Sequence, residues 1–181
     1  MTRLSVIGTG YLGVTHSVCM ASLGHKVVAL DVDAKKISAL SAGRVPFHEP
    51  ELPEMLASGL ASGNLIFTSD FEQVAQNADV HFLCVGTPQS GDSGAADLSQ
   101  IQAAVSALAP FLTKPCLVVG KSTVPVGTAK WISDYFANNS PAGTDVHVVW
   151  NPEFLREGFA VQDTLHPDRV VLGITHEADV E

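Results

Sequence analysis

The residues best suited to chemistry come early in this chain, in the glycine pattern Gly8-Thr9-Gly10-Tyr11-Leu12-Gly13. A short β-branched run precedes the pattern and a helix-like segment follows it, which indicates a strand, a tight turn and a helix. In such a unit Gly8 permits the turn, Gly10 lets the backbone approach a pyrophosphate, and Gly13 lets the helix pack closely on the strand. The free N–H groups at the start of the helix face the anion. The pattern therefore predicts a dinucleotide-binding site.

An acidic residue follows this turn at the spacing that a dinucleotide site requires. Asp31 ends a second apolar run, VVALD, roughly 20 residues beyond the glycines. Its carboxylate can accept hydrogen bonds from both ribose hydroxyls of an adenosine and would repel a 2′-phosphate, which predicts a site for NAD. Lys36 begins the next helix and could either reach the adenosine side of the cofactor or remain a solvated helix lysine.

Hydroxyl groups follow a later apolar run, Cys116–Gly120. At the end of that strand, Ser122 and Thr123 could hold a substrate oxygen or a water. Hydroxyls in this stretch could equally cap the following helix. We expect Thr128 to be that cap, which leaves Ser122 and Thr123 free for the crevice.

A pair of carboxylates follows the apolar run VHVVW. Glu153 and Glu157 are four residues apart, a spacing that on a helical turn places both side chains on one face. This arrangement would suit general acid and base catalysis near a nicotinamide. It would also suit a solvated helix end with Arg156, and the spacing alone leaves both interpretations open.

The elements that must position these groups alternate between strands and helices. We predict strands at residues 4–7, 27–31, 65–68, 80–86, 116–120, 145–150 and 169–174, and helices that end near residues 23, 42, 59, 77, 108 and 138. Apolar strands joined by helices are typical of a parallel sheet that is covered on both faces. The fold class is therefore α/β, a Rossmann-like, doubly wound and mainly parallel sheet with helices on both faces.

Ligands of a doubly wound sheet bind beyond the carboxyl ends of its strands, where the strand order reverses. The fourth strand lies beside the first, so residues 85–88 should line the cofactor crevice. The proline-framed segment PFHEPELP is more typical of a surface loop. We therefore assign no chemistry to His48 and Glu49.

Composition limits the remaining possibilities. The 181 residues suit one domain, and 46% hydrophobic with 16% charged residues suits a sheet covered by helices. The net charge of −9 argues against nucleic acid as a partner, because no basic surface would neutralise phosphates. No apolar run approaches the roughly 20 residues of a membrane span, and the start does not resemble a signal peptide. No membrane partner is expected.

The three cysteines give no sign of a metal or a disulfide. Cys19, Cys84 and Cys116 share no metal-like or CxxC spacing, and each lies in an apolar segment. Buried, reduced thiols are therefore expected, without a metal site and in the cytoplasm.

Longer motifs carry a resemblance to a known family. GTGYLG, the acid at Asp31, PFHEPELPEML, CVGTP, ADLS, KSTVPVGT, NPEFLREG and HPDRVV occur in this order. Together they resemble the N-terminal, NAD-binding domain of the UDP-glucose/GDP-mannose 6-dehydrogenases, over almost all of the chain. The run GFAVQDTLHPDRVV looks most like the bacterial members that act on UDP-glucose.

This resemblance implies an activity. Members of the family oxidise a nucleotide sugar twice at C6, from alcohol to carboxylate, with two NAD⁺ and one water. For UDP-glucose the product is UDP-glucuronate, a building block for polysaccharides. GDP-mannose or a UDP-N-acetylhexosamine is the alternative substrate.

The resemblance also assigns residues. It implies a cofactor site made of Gly8, Gly10, Tyr11, Leu12, Gly13, Asp31, Lys36, Val85, Thr87, Pro88, Thr123 and Glu157. It implies catalytic roles for Thr123, which helps to position the water or the reacting oxygen, and for Glu153, in acid–base work. It implies that the sugar nucleotide meets Glu153, Phe154, Leu155, Arg156 and Glu157.

One part of the family pattern has no counterpart here. The nucleophilic cysteine of the family lies downstream in a GGxCxPKD-like motif, which this sequence does not contain. None of the three cysteines can replace it, because no basic neighbour lowers a thiol pKa. The resemblance thus implies that residues 1–181 are the NAD-binding domain, without the central helical and C-terminal UDP-binding domains.

Two expectations about activity follow from that difference. This chain alone should be inactive, whereas the full-length enzyme should be a homo-oligomer. A non-catalytic NAD-binding sensor or interaction module is the alternative from another class. It would explain the missing cysteine but not the acid and hydroxyl motifs at the strand ends.

Overall fold

The computed structural model describes residues 1–91 and 94–174. The strands are β1 (Arg3–Ile7), β2 (Lys26–Leu30), β3 (Leu65–Thr68), β4 (Val80–Leu83), β5 (Gln89–Ser90), β6 (Ala95–Ala96), β7 (Cys116–Gly120) and β8 (Val146–Trp150). Six of them form one sheet in the order β3-β2-β1-β4-β7-β8, and every neighbouring pair is parallel. The short strands β5 and β6 form a separate antiparallel hairpin. The predicted doubly wound, parallel sheet is confirmed.

Helices cover both faces of this sheet. They are α1 (Tyr11–Ser22), α2 (Ala34–Ser41), α3 (Leu52–Ala61), α4 (Phe71–Asn77), α5 (Ser99–Leu108), α6 (Thr128–Asn139) and α7 (Ala160–Leu165). Successive strand residues point to opposite faces. Ile7 of β1 accordingly belongs to one core cluster with Val105 of α5, whereas its neighbour Val6 belongs to a second cluster with Val18 of α1. No helix of the described part of the chain is long and apolar enough to span a membrane.

The strand order reverses between β1 and β4. From β1 the chain builds outward to β2 and β3, and it then returns to place β4 on the other side of β1. Ile7, the last residue of β1, pairs with Leu30 of β2 and with Leu83 of β4. Three strands therefore end at the same level, and a crevice opens beyond them.

The boundaries of the predicted strands agree with the structure to within one residue, except in two places. The fourth strand ends at Leu83 rather than at residue 86, although the Cys84 amide still donates to the Ile7 carbonyl at 2.8 Å. The strand predicted at 169–174 is wrong. Of residues 169–174, only Gly173 pairs with β8, through two backbone hydrogen bonds to Trp150. The Val171 carbonyl instead accepts a hydrogen bond from the Asn151 side chain at 2.9 Å.

Residues 153–157 do not form the helical turn that would place Glu153 and Glu157 on one face. No regular element is present there, and α7 begins only at Ala160. The Glu153 carboxylate accepts the amide proton of Leu155 at 2.7 Å, a local side-chain contact that competes with helix formation. Gly158 then adopts a φ of +82°, which interrupts any helix. Glu153 and Glu157 consequently do not share a helix face.

The cap of α6 differs from the prediction as well. Gly127, with a φ of +94°, is the N-cap residue, and Thr128 is the first residue of the helix. The Thr128 hydroxyl donates to the Pro125 carbonyl at 2.8 Å. It closes the preceding turn instead of accepting a helix N–H.

Candidate functional site

The glycine turn after β1 is fixed by steric limits. Gly8 has a φ of +97°, and a Cβ atom there would lie 2.9 Å from the backbone of Cys84. A Cβ atom on Gly13 would lie 1.8 Å from the Gly8 carbonyl oxygen, so α1 can start this close to β1 only with a glycine at that position. Nothing lies within 4 Å of a Cβ atom built on Gly10. The turn is thus tight on its inner side and open at Gly10.

Beyond this turn lies a cavity of about 540 Å³, here called the turn cavity. It lies at the ends of β1, β2 and β4 and extends along α5. Its lining residues include Gly8, Gly10, Asp31, Lys36, Val85, Gly86, Gln100 and Ala104. Gln100, which sequence reasoning missed, brings its side-chain amide within van der Waals distance of a Cβ atom built on Gly86. The cavity therefore has apolar walls, with Gly10 at one side and a carboxylate at the rim.

Asp31 forms the charged rim of the turn cavity. It is 8% exposed, and one carboxylate oxygen accepts from the Thr9 amide at 2.9 Å, from the Thr9 hydroxyl at 2.8 Å and from Lys36 Nζ at 2.7 Å. The other oxygen accepts the Asp33 amide proton at 3.0 Å. Burial alone would raise the pKa of Asp31, but the hydrogen bonds from Lys36, Asp33 and Thr9 outweigh it and lower that pKa. The carboxylate is therefore ionised and fixed in place.

The ends of β4 and β7 are joined by hydroxyl groups. The Ser122 hydroxyl donates to the Val85 carbonyl at 2.6 Å, and the Thr87 hydroxyl donates to the Thr123 carbonyl at 2.8 Å. Ser122 is therefore not free for the crevice, contrary to the prediction. Thr123 is exposed, and within the described residues its own hydroxyl has no hydrogen-bond partner.

A second cavity, of about 830 Å³, lies on the α1 and α7 side of the sheet. We call it the loop cavity, because segments without regular structure, 151–156 and 166–170, form much of its wall. Glu153, Phe154, Leu155 and Arg156 line it together with Leu12 and Lys121. The candidate catalytic carboxylate and the candidate ribose-binding carboxylate therefore lie in different cavities.

A buried lysine supports the segment that carries Glu153. Lys121 directly follows β7, and its Nζ donates to the Asn151 side-chain oxygen at 2.8 Å. Burial lowers the pKa of Lys121, while nearby negative charge, including that of Glu153, opposes this change. The Asn151 amide donates to the Gly120 carbonyl at 2.8 Å. Both the side chain and the backbone of Asn151 are thus fixed by the end of β7.

Seven of the residues singled out in the sequence line neither cavity. They are Gly13, Tyr11, Thr87, Pro88, Ser122, Thr123 and Glu157. Glu157 is exposed. Thr87 and Thr123 lie together at the joined ends of β4 and β7, and Tyr11 points instead toward the proline-framed loop, where its hydroxyl meets Glu49.

Glu49 is a buried charged residue whose position the sequence did not indicate. It was expected at the surface but is 2% exposed. Its carboxylate accepts hydrogen bonds from the amides of Gly158 and Ala160, at 2.8 Å each, and from the Tyr11 hydroxyl. These partners are far away along the chain, so no local pattern could have indicated them. His48, by contrast, is exposed as expected.

The cysteines are buried and unpaired, which confirms the prediction for all three thiols. Burial raises the pKa of Cys19 and Cys84 to about 12 and that of Cys116 to about 11. A thiol in this state is a poor nucleophile, because the thiolate is the reactive form. In the described part of the chain, no group of three or more metal-ligating side chains is present.

Comparison with known proteins gives a consistent result. Residues 2–181 match the family model described as the UDP-glucose/GDP-mannose dehydrogenase family, NAD binding domain. A UDP-glucose 6-dehydrogenase from Rhizobium meliloti (strain 1021) is 46% identical over 172 residues, which is 95% of this chain and 39% of that protein. The chain therefore spans about two fifths of the length of the curated relatives it matches.

Solved structures agree with this match. A UDP-glucose dehydrogenase from the archaeon Pyrobaculum islandicum superposes with a TM-score of 0.93 at 42% identity, over 99% of this chain and 42% of that one. A GDP-mannose dehydrogenase from Pseudomonas aeruginosa, solved as a ternary complex, superposes with a TM-score of 0.92 at 33% identity, over 98% of this chain and 42% of that one.

Proposed function

The chain belongs to the UDP-glucose/GDP-mannose dehydrogenase family, as an NAD-binding domain, and we propose that it serves a longer enzyme that oxidises a nucleotide sugar at C6. The observation that carries this proposal is the open space at Gly10, which faces a cavity with an ionised carboxylate at its rim. A side chain at residue 10 would occupy the space through which a pyrophosphate would approach the start of α1. The residues present therefore fit NAD.

The cofactor residues other than Thr123 and Glu157 would divide into three groups. The backbone of residues 8–13 would hold the pyrophosphate, since the first amides of α1 have no partner within the helix. Asp31 and Lys36 would bind the adenosine ribose, and Asp31 would disfavour a 2′-phosphate by charge repulsion. Val85, Thr87 and Pro88 would flank the cofactor at the end of β4. When bound, NAD supplies the acceptor for a hydride from the sugar.

Two side chains would act on the sugar. Thr123 offers a hydroxyl without a partner in the described residues, which could hold the reacting oxygen or a water. Glu153 has a half-buried carboxylate that accepts one hydrogen bond from Leu155 and can hold or release a proton. Phe154, Leu155 and Arg156 follow it along the loop cavity and would contact the sugar nucleotide, together with Glu157.

We propose UDP-glucose as the sugar nucleotide. The supporting observation is that the curated relatives at 40–46% identity are named UDP-glucose 6-dehydrogenases, whereas a GDP-mannose dehydrogenase matches at 33% identity. GDP-mannose or a UDP-N-acetylhexosamine is the second candidate, favoured by the similar structures of enzymes with those names.

The rest of the catalytic machinery would come from outside residues 1–181. Oxidation to the acid needs a nucleophile that holds the aldehyde, and the three buried thiols have raised pKa values. We therefore propose that residues 1–181 are one domain, and that central helical and UDP-binding domains complete the enzyme. Unpaired thiols suit a reducing compartment such as the cytoplasm.

Titration calorimetry of this chain with NAD and NADP tests the cofactor part of the proposal. A charged hydrogen bond contributes about 1.5–3 kcal/mol, so NAD should bind about 10- to 100-fold more tightly. Equal affinity for the two cofactors would contradict the assignment of Asp31.

Absorbance of NADH, measured with UDP-glucose, GDP-mannose and UDP-N-acetylhexosamines in turn, tests the reaction. The chain alone should form none, because lost substrate positioning can remove about 7–11 kcal/mol of rate enhancement. The longer protein should form two NADH per sugar. In that protein Glu153→Gln and Thr123→Ala should lower kcat strongly while the NAD affinity changes only a few-fold.

The outcomes separate this proposal from its rival. A longer protein that binds NAD but oxidises no sugar would favour the non-catalytic sensor or interaction module. Normal turnover by Glu153→Gln would show that this carboxylate is structural. Sustained NADH formation by the 181-residue chain would place the active site elsewhere.

A further inference from the structure

Glu49 connects two parts of the molecule that the proposed function uses separately. We propose that Glu49 is a positioning residue, which couples ligand binding in the turn cavity to the placement of residues 153–161 beside the loop cavity. The proposal rests on the proposed function in one respect, since it takes NAD, or its ADP-ribose part, as the ligand of the turn cavity.

The Glu49 carboxylate is a buried acceptor with several donors around it. One oxygen accepts from the Ala160 amide at 2.8 Å and from the Val161 amide at 3.4 Å. The other accepts from the Gly158 amide at 2.8 Å and from the Tyr11 hydroxyl at 2.5 Å. None of the salt bridges of the described residues involves this carboxylate. Its charge is stabilised by neutral donors alone, which fix its position.

The charged state of Glu49 persists at neutral pH. Burial would raise the pKa of this carboxyl, but the hydrogen bonds from Tyr11 and from the backbone at Gly158, Val161 and Ala160 outweigh burial and lower it. The carboxylate is therefore ionised near neutral pH, and its role as an acceptor does not depend on a change of protonation there.

On one side, Glu49 contacts the glycine turn through Tyr11. Tyr11 is the first residue of α1 and directly follows Gly10, the open position of the turn. Its ring packs against Phe47, with 4.9 Å between the ring centroids, and its hydroxyl lies 3.3 Å from the Gly158 amide. A ligand that orders the backbone at residues 10 and 11 therefore also restrains a side chain that holds Glu49.

On the other side, Glu49 fixes the start of α7. Gly158 and Ala160 are the residues where the chain enters that helix. Within the helix, Asp163 accepts from the Arg156 amide at 3.0 Å and from the Arg156 guanidinium. Arg156 and Asp163 both line the loop cavity. The placement of α7 thus sets the placement of the segment that follows Glu153.

These contacts make an uninterrupted physical connection between the two cavities. It runs from the turn at Gly10 through Tyr11 and Glu49 to Gly158 and α7. Coupling between two sites is reciprocal, so a ligand that favours the ordered turn must favour the ordered start of α7 by the same factor. Glutamine cannot replace Glu49, because its amide NH₂ group would face N–H or O–H donors instead of accepting from them.

Hydrogen exchange at the amides of Gly158, Ala160 and Val161 tests the coupling, with ADP-ribose as the probe. These three residues line neither cavity, and ADP-ribose lacks the nicotinamide ring, which avoids direct contact from that end of the cofactor. In the parent chain, saturating ADP-ribose should slow exchange at these amides by about fivefold or more.

Two variants and one control complete the experiment. Tyr11→Phe keeps the carboxylate and its backbone donors and removes the hydroxyl that contacts Glu49 and the Gly158 amide. It should therefore lose the ADP-ribose-dependent slowing at Ala160 and Val161, whose amides do not contact Tyr11, and bind ADP-ribose about fivefold more weakly. Glu49→Gln should do the same and should also raise the exchange rate without ligand. Glu51→Gln is the matched control, because exposed Glu51 contacts the same helix through Gln162 at 3.0 Å but does not contact Tyr11. It should keep the slowing.

Each result decides between the alternatives. If ADP-ribose and NAD fail to bind the parent chain, the proposed cofactor function fails. The coupling is refuted, and the cofactor site stands, if ADP-ribose binds but does not slow exchange at the amides of Gly158, Ala160 and Val161. The same conclusion follows if ADP-ribose slows exchange in Tyr11→Phe as much as in the parent chain. A Glu49→Gln chain that exchanges faster but binds ADP-ribose with parental affinity would reduce Glu49 to a purely structural role. Tyr11→Phe gives the answer even if Glu49→Gln does not fold.

Discussion

The turn cavity and the loop cavity lie on the same sheet but are built by different means. Main-chain geometry shapes the turn cavity, where β1, β2 and β4 end and where Gly8 and Gly13 leave no room for a side chain. The loop cavity is bounded by irregular segments that side chains hold in place, such as Lys121 on Asn151 and Asp163 on Arg156. The turn cavity is therefore fixed by the sheet itself, whereas the loop cavity depends on contacts between side chains.

This difference has consequences for mutation. A change in the turn cavity acts on atoms that cannot move without moving the sheet, since protein interiors are close-packed. A change in the loop cavity acts on side chains that are partly exposed, such as Phe154 at 58% and Val170 at 64%, and the surroundings can adjust. Stability should therefore respond strongly to changes on the packed inner side of the glycine turn, at Gly8 and Gly13, and weakly to changes in the loop cavity.

The largest effect is expected for Gly13→Ala. The added methyl group would lie 1.8 Å from the Gly8 carbonyl oxygen, so α1 must shift away from β1. Overpacking of this kind costs about 3 kcal/mol or more, which corresponds to a fall in melting temperature of roughly 10 °C for a chain of this size. Thermal unfolding followed by circular dichroism measures it.

Gly10→Ala is the matched comparison for Gly13→Ala. Nothing lies within 4 Å of the added methyl group, and the φ of −73° at Gly10 suits alanine. The free energy of unfolding should stay within about 0.5 kcal/mol of the parent. NAD affinity should nevertheless fall about tenfold or more, equivalent to 1.4 kcal/mol, because the methyl group occupies the pyrophosphate approach. Equal loss of stability in both variants would contradict the steric account of the turn.

An intermediate effect is expected for Asp31→Asn, and it should depend on pH. The pKa of Asp31 in the folded chain lies below its usual value, which is near 3.9 in unfolded chains. A carboxyl with a lowered pKa stabilises the fold at pH values above the unfolded pKa. That contribution is lost as the pH falls through the folded pKa. At pH 7 the variant should lose about 1.5–3 kcal/mol, the value of a hydrogen bond to a charged group.

Urea unfolding at pH 7 and at pH 3 measures this prediction. The difference between parent and Asp31→Asn should shrink at the lower pH, because the parent loses what the variant already lacks. Asp33→Asn is the control, since Asp33 caps α2 and asparagine is an equally good cap. A difference between parent and Asp31→Asn that grows toward pH 3 would contradict the lowered pKa.

The sequence predicted the turn cavity better than the loop cavity, and the reason is physical. The glycine spacing and the acid at residue 31 lie within one strand–turn–helix unit and the next strand, so local pattern determines their geometry. Apolar runs also predicted β3 and β7 without error, because a buried parallel strand is marked by its own side chains.

The failures concern polar side chains that have several possible hydrogen-bond partners, some of them distant along the chain and some close. Glu49 is buried by amides more than a hundred residues away, and a proline-framed loop gave no sign of it. Residues 153–157 have a helical spacing of carboxylates, yet Glu153 bonds to the nearby Leu155 amide instead. Ser122 was expected to be free and Thr128 to cap α6, yet both hydroxyls donate to backbone carbonyls, at Val85 and Pro125. Side-chain contacts of this kind need the folded structure.

The smallest effect is expected for Arg156→Gln, in the wall of the loop cavity. Arg156 pairs with Asp163 across 2.6 Å, and the arginine side chain is 70% exposed. Exposed ion pairs contribute little, because water screens the charges and two long side chains must be ordered. The Arg156 amide still donates to Asp163 in the variant, and Glu49 still holds the start of α7. The melting temperature should therefore change by less than about 2 °C.

NAD affinity provides the sharper half of this last test. Arg156 does not line the turn cavity, so calorimetric titration should give Arg156→Gln the same NAD dissociation constant as the parent, within about twofold. In the longer protein, the same substitution should raise the KM for the nucleotide sugar, because a guanidinium at the loop cavity is suited to phosphate or hydroxyl oxygens. If Arg156→Gln instead weakened NAD binding as much as Gly10→Ala, the two cavities would act as one site. The distinction between a cavity fixed by the sheet and a cavity held by side chains would then be wrong.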